Sequence, residues 1–322
     1  MAKTEKIKLS MLGLPVIQNL DDFSNLTHIS KYTIYQLSYH SSYYYRTYTI
    51  SKKSGKKRVI SQPSKKMKGL QSWVLVNILN KLQVSGSCKG FRKGSSILDN
   101  ALPHQGANTI LNIDLKDFFP SISSKRVFNL YKSLGYNNLI STVLTNICTY
   151  ENTLPQGGPC SPMLSNLVTW TLDLRIQGYV GKRGVNYTRY ADDLSFSGLH
   201  PSKVLHIIPM INKIINDENF DLNYSKTRVA SSARAKIVTG LVINEDSVGI
   251  GKKRYKLLRS KIHHLTLSSE QKNTSLLNHV KGWISYLYSV DKKRYKKVQN
   301  YITELSNKHP KTLVSQLLVP AK

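Results

Sequence analysis

The sequence predicts an α+β fold, and three features of its patterning carry that expectation. Short β-rich runs occur at 46–61, 109–115 and 185–197, and helical periodicity occupies 66–82, 125–149 and about 162–178. Strands and helices do not alternate strictly, which argues against a doubly wound parallel sheet. From residue 252 onward the chain is helical and basic.

In chain order, residues 1–45 read as a helical extension, with Ser24 and Thr27 as caps and Ile29, Tyr32, Ile34 and Leu37 at helical spacing. RTYTIS and KRVIS around a turn glycine predict a hairpin over 46–61, with a basic tip of Lys52, Lys53, Lys56, Lys57 and Arg58. A helix over 66–82 follows, its stripe formed by Met67, Leu70, Val74, Ile78 and Leu82. The apolar run 109–115 is a strand that ends at Asp114, with Pro120 stopping regular pairing beyond it. One helix is expected over 125–149. LPQGGPCSP at 154–162 must be a loop, after which Ser161 caps a helix with Pro162 in its first turn and Leu164, Leu167, Val168 and Leu172 inward. VNYTRYADDLSFS alternates about a central turn and predicts a hairpin tipped by Asp192 and Asp193. A helix over 203–218, strands near 226–230 and 236–243, and a three-helix basic end complete the pattern.

Charge is the strongest global signal. Lys and Arg number 47 against 18 acidic residues, a net +29 over 322 residues. The basic residues are spread along the chain rather than gathered in one amphipathic helix. Long grooves for nucleic-acid phosphate are therefore favoured over a membrane-lying helix. Three Cys without a Cys-x-x-Cys indicate neither a disulfide framework nor a zinc site. No apolar stretch reaches membrane-spanning length, and Met1–Ser10 has no apolar signal core, so a cytoplasmic, reduced protein is expected.

The chemistry is carried by carboxylates. Nucleotidyl transfer needs charge neutralised on the attacking and leaving oxygens, which two Mg²⁺ ions about 4 Å apart accomplish. Mg²⁺ takes hard oxygen ligands and few of them from protein. Asp114 at a strand end and Asp192–Asp193 at a hairpin tip would meet this need if one sheet pairs their strands. Asp is also a common turn residue, so the pair alone is an ambiguous signal.

Tyr190-Ala191-Asp192-Asp193 resembles the Tyr-x-Asp-Asp hairpin of reverse transcriptases. Asn112-Ile113-Asp114-Leu115-Lys116-Asp117-Phe118-Phe119-Pro120 resembles their first catalytic motif. Leu154-Pro155-Gln156-Gly157 with Ser161-Pro162 resembles the motif between the two. Their order and spacing match together. The resemblance implies a right-hand polymerase fold, with an N-terminal extension (1–45), fingers (46–108), a palm whose antiparallel sheet carries the aspartates (109–245) and a helical thumb (246–322). It implies that Asp114, Asp192, Asp193 and the Leu115 carbonyl hold two Mg²⁺. Arg58 would meet the incoming deoxynucleoside triphosphate, with Lys53 and Lys57 as rivals, beside Asp117 and Gln156. Phe119 would exclude ribonucleotides by its bulk, Phe118 being a core residue, and Lys226 would protonate the departing pyrophosphate. Gly157 and Gly158 would let a ligand approach the backbone.

Within that family the chain is most similar to the bacterial retron enzymes. Asn100-Ala101-Leu102-Pro103-His104 and Val238-Thr239-Gly240 resemble their flanking elements, and Cys160 departs from the usual Ser or Thr. The implied partners are a structured non-coding RNA, its branched DNA product and a separate antiphage effector. Asn100, His104, Thr239, Lys252, Arg254 and Arg259 are the candidate RNA contacts. Another bacterial reverse transcriptase class, such as a group II intron or diversity-generating enzyme, and an RNA-binding scaffold subunit remain open alternatives.

Overall fold

The structure, a computed structural model, describes residues 3–51, 55, 57–231, 234–267 and 274–318. Lys52, Lys53 and Lys56 of the expected hairpin tip lie outside these residues.

Three helices open the chain: α1 (Lys3–Met11), α2 (Leu20–Thr27) and α3 (Lys31–Tyr39). Asn19 and Ser30 cap the last two, accepting from the amides of Asp22 and Thr33. Ser24 and Thr27, the caps expected from the sequence, instead lie within α2, where the Thr27 hydroxyl donates to the Phe23 carbonyl at 2.7 Å. The hairpin forms as expected from β1 (Tyr45–Ser51) and β2 (Lys57–Pro63), antiparallel with Tyr45 opposite Pro63. Helix α4 (Lys65–Asn77) buries Met67, Leu70 and Val74 and then tightens into a 3₁₀ turn at Leu79–Lys81.

Helix α5 (Ile97–Ala101) starts in a capping box between Ser96 and Asp99. Strand β3 (Thr109–Asp114) is buried along nearly its whole length. The single helix expected over 125–149 is two, α6 (Ser124–Leu134) and α7 (Asn138–Cys148). Gly135, at φ 112, ends the first, and the Asn137 side chain caps the second. Helices α8 (Ser161–Val168) and α9 (Trp170–Gly181) follow. Cys160 takes the N-cap position of α8 without a side-chain cap bond, so Ser161 is its first residue and not its cap.

Strands β4 (Asn186–Tyr190) and β5 (Asp193–Gly198) form the second hairpin. The helix expected over 203–218 divides into α10 (Pro201–His206) and α11 (Ile208–Asp217), with Pro209 in the first turn of the latter. Then come β6 (Arg228–Ala230), β7 (Ile237–Val238), β8 (Leu241–Ile243) and β9 (Val248–Gly249), followed by α12 (Gly251–His264), α13 (Thr274–Val290) and α14 (Lys292–Lys308). One sheet has the order β4-β5-β3-β6, and β7-β8-β9 form another. Asp114 and the Asp192–Asp193 turn thus come from neighbouring strands of one sheet.

The chain forms two compact units. The first comprises Met1–Ser95, Asn112–Ser195 and Leu205–Arg228. Its interior includes Met67, Leu70, Val74, Val127, Tyr131, Ile140 and Leu144. The second comprises Ser96–Leu111, Phe196–Val204 and Val229–Lys322. Its core joins β7–β9 to α12–α14 through residues such as Val238, Leu241, Leu258, Ile262, Val280, Leu287 and Ile302. Asp291 caps α14, accepting from the Arg294 amide at 3.0 Å. All three cysteines are free and buried.

Ile302 is fully buried in this second core. Its truncation to Ala should cost about 2–5 kcal/mol of unfolding free energy in a denaturant titration. A cost near zero would show that α14 is not docked.

Candidate active site

Asp114 is only 6% exposed. A carboxylate so placed needs partners, and both its oxygens have one. Lys226 Nζ donates to Oδ1 at 2.6 Å and Asn223 Nδ2 donates to Oδ2 at 3.0 Å. The backbone is joined as well, since the Asn223 amide donates to the Asp114 carbonyl at 2.8 Å. The Leu115 amide donates to the Asp192 carbonyl at 3.0 Å, which fixes the strand end to the hairpin turn. That turn is tight because Ala191 adopts φ 57, a left-handed conformation that costs a non-glycine residue about 1–2 kcal/mol.

Crowding the carboxylates disturbs their titration. Burial first, and then the Asp114 charge, push the Asp192 carboxyl up, against a backbone hydrogen bond and the cations Lys226 and Arg58. Burial, then the charges of Asp192 and Asp114, push Asp193 up to about 6. The hydrogen bond to Asp114 holds the Lys226 ammonium above its ordinary value. Two carboxyls that resist ionisation, Asp192 and Asp193, beside the buried carboxylate of Asp114 offer the hard oxygen donors that a divalent cation would stabilise. Among the described residues, no three acidic, His or Cys side chains yet converge as a finished ligand cluster. The donor chemistry fits a metal, and the Lys226 ammonium pairs with the Asp114 carboxylate.

The neighbouring residues fall in place to different degrees. Arg58 is exposed on β2, and its charge reaches Asp192. Lys57 is exposed beside it, opposite Ser51. Phe119 is half-buried, with its ring 6.0 Å from Phe91, whose ring is 6.4 Å from Tyr190. Phe118 is buried against Phe220, as a core residue would be. Asp117 is exposed at φ 44. Gln156 is half-buried, and its carbonyl accepts from the Ser61 amide at 2.9 Å. Gly157 (φ 133) is closely approached by the chain itself. A Cβ there would lie 2.9 Å from the Ser61 carbonyl oxygen.

A second layer was missed from the sequence. Arg189, on β4, is wholly buried and forms a two-pronged ion pair with Asp173 on α9. Nε meets Oδ1 and Nη2 meets Oδ2, each at 2.7 Å. Burial opposes the guanidinium charge, but the adjacent carboxylate outweighs it and holds the Arg189 pKa above its ordinary value. Arginine inside a strand is the only sequence signal of this layer.

The expected RNA contacts need correction at two positions. Asn100 and His104 are fully buried and so cannot meet a macromolecule at the surface. His104 Nδ1 lies 2.7 Å from the Ser197 hydroxyl, and burial lowers its pKa to about 4, leaving the ring neutral. Asn100 Nδ2 donates to Thr239 Oγ1 at 3.4 Å, and the Thr239 hydroxyl donates to the Ile97 carbonyl. These three are internal fastenings of the second unit. Lys252, Arg254 and Arg259 are exposed on α12, with Arg254 donating to the Gly240 carbonyl at 2.7 Å and Arg259 lying 4.2 Å over Tyr301.

Comparison with known proteins agrees with this geometry. Residues 50–279 match the sequence profile of the reverse transcriptase (RNA-dependent DNA polymerase) family. The chain is 49% identical over 306 residues to the retron Ec86 reverse transcriptase of Escherichia coli, covering 94% of each chain. It is 32% identical over 297 residues to the retron Mx162 reverse transcriptase of Myxococcus xanthus, covering 82% of this chain and 61% of that one. A solved telomerase from Candida albicans, in complex with a fragment of telomeric RNA, superposes with a TM-score of 0.50 at 13% identity, over 82% of this chain and 59% of that one. The chain therefore belongs to the reverse transcriptase family, within its retron branch, and is an RNA-directed DNA polymerase of right-hand fold class. Such enzymes use divalent metal ions. No helix among the described residues is long and apolar enough to cross a membrane.

The raised Asp193 carboxyl gives a pH test. Its folded value of about 6 exceeds the ordinary 3.8, so folding penalises the ionised form. That penalty is slight below the ordinary value, grows as pH climbs from there through the folded value and is nearly complete by pH 7. In chelator-treated protein, Asp193→Asn should therefore raise Tm at pH 7 and raise it much less near pH 4. An equal shift at both would contradict the electrostatic cause.

Proposed function

We propose that this chain copies a structured non-coding RNA into single-stranded DNA, starting from the 2′-OH of an internal guanosine and yielding a branched RNA–DNA molecule. The observation that carries the polymerase chemistry is the gathering of Asp114, Asp192, Asp193 and Lys226, with Arg58 in electrostatic reach. The branched product and the priming guanosine rest on the likeness to retron enzymes. By the same likeness the protein works in the bacterial cytoplasm, in an antiphage system with a separate effector.

Asp114, Asp192, Asp193 and the Leu115 carbonyl would hold two Mg²⁺, which supply charge neutralisation on the attacking and leaving oxygens when bound. Every other role belongs to side chains. Arg58 offers a planar fork to the triphosphate. Phe119 lies against the sugar 2′ position and Gln156 hydrogen-bonds the sugar, next to Asp117. Lys226 delivers a proton to the departing pyrophosphate, and its ion pair with Asp114 keeps it at the site beforehand. In this reading residues 46–108 are fingers, 109–245 a palm and 246–322 a thumb. The exposed cations of α12, including Lys252, Arg254 and Arg259, track an A-form RNA backbone, so affinity falls steeply with salt.

The test is to express the chain with its flanking DNA, purify it and run the bound nucleic acid on a denaturing gel after RNase, DNase or debranching treatment. A short DNA that shifts on debranching and is absent from Asp192→Asn supports the proposal. Unbranched DNA points to another reverse transcriptase class, and RNA alone in both proteins points to a binding scaffold. Phe119→Ala should incorporate ribonucleotides at least tenfold better relative to deoxynucleotides, roughly the scale of steric discrimination in a pocket. Unchanged sugar selectivity would reject the gate.

A further inference from the structure

Arg189 does more than pair with Asp173. Its remaining nitrogen, Nη1, donates to the Ala191 carbonyl at 3.2 Å and to Asn166 Oδ1 at 3.4 Å. Ala191 is the left-handed residue of the turn that presents Asp192 and Asp193. Asn166, on α8, passes the connection onward, its Nδ2 donating to the Gly90 carbonyl at 2.9 Å. Gly90 lies against the same turn, where a Cβ would come within 2.7 Å of the Ala191 nitrogen. The loop holding Gly90 is fastened to β4 on both sides of Arg189. The Arg189 amide donates to the Ser87 carbonyl at 2.8 Å, and the Lys89 amide donates to the Arg189 carbonyl at 2.7 Å. Tyr187 completes the interior, its hydroxyl donating to Asp173 Oδ1 at 2.8 Å.

We propose that Arg189, Asp173 and Asn166 are positioning residues for DNA synthesis, a buried polar clamp that holds the Ala191 turn and thereby sets where Asp192 and Asp193 stand. The inference rests on the reading of those two aspartates as the polymerase carboxylates. A buried ion pair is poor value as a stabiliser, since apolar residues of similar size hold a core as well or better. What an apolar pair cannot do is grip the Ala191 carbonyl and reach Gly90 through Asn166. The fork of an arginine makes four side-chain hydrogen bonds here from three separate nitrogens, and a lysine, with three donors on one nitrogen, cannot.

Two variants of the full chain separate positioning from folding. Arg189→Lys keeps the charge beside Asp173 and loses the branching. The triple variant Arg189→Met, Asp173→Leu, Tyr187→Phe replaces the pair with apolar volume and leaves no hydroxyl stranded. Each is measured in three ways: thermal unfolding, amide hydrogen exchange of the 187–195 segment in chelator-treated protein, and kcat and KM for deoxynucleotide on a primed RNA template. The expected result is a folded protein in both cases, with faster exchange confined to 187–195. The kcat should fall roughly 10–100-fold, as for a small misplacement of reacting groups. KM should stay within about twofold, because ground-state binding is untouched. A folded triple variant with normal kcat and normal exchange would overturn the proposal, leaving the pair as core filling. Global loss of the fold in both variants would also overturn it, making the pair a folding element. Should Asp192→Asn polymerise normally while the exchange effect appears, the polymerase-site reading fails and the clamp on the turn stands.

Discussion

Carboxylates that share one surface repel, and bringing Asp114, Asp192 and Asp193 together is the constraint on which the first unit is organised. Burial and mutual charge both push against ionisation at Asp192 and Asp193. A chain left to itself would separate such groups. Here the separation is resisted at several points. Strand pairing places β5 beside β3, and the Leu115 amide ties the strand end to the Asp192 carbonyl. Lys226 and Asn223 satisfy both Asp114 oxygens. The left-handed Ala191 allows a turn sharp enough to face the strand end. Sites built in this way store local strain and electrostatic tension that a charged ligand relieves.

Much of this was legible in the sequence, because the informative residues lie at element ends. Asp114 closes an apolar strand and Asp192–Asp193 interrupt an alternating run, and both patterns are local. The basic hairpin and the three terminal helices were legible for the same reason. The divisions at Gly135 and Pro209 were missed where helical periodicity continued across them in phase. The assignments of Asn100 and His104 failed because a motif marks importance without saying which way a side chain points. Burial shows both turned inward. The close packing of Gly157 against β2 was not legible, because it depends on a pairing distant in sequence. The Arg189–Asp173 pair was invisible because nothing in the sequence links a strand arginine to an aspartate on a preceding helix.

The two units divide the physical work. The first concentrates negative charge at one turn. The second carries a basic helix, α12, whose Leu258 and Ile262 are buried while Lys252, Lys253, Arg254, Lys256 and Arg259 are exposed. Its motif residues Asn100, His104 and Thr239 are tied by hydrogen bonds within the same unit.

The most direct measurement maps where a divalent ion sits in the folded chain. Fe²⁺, substituted for Mg²⁺ and supplied with ascorbate and peroxide, cuts a polypeptide next to the bound ion, and the fragments are sized by mass spectrometry. The expected cuts fall near residues 112–118 and 188–195, disappear with excess Mg²⁺ and are lost in Asp114→Asn. Cuts elsewhere, or cuts indifferent to that substitution, would contradict the assignment of Asp114, Asp192 and Asp193 as the metal-binding centre of the enzyme.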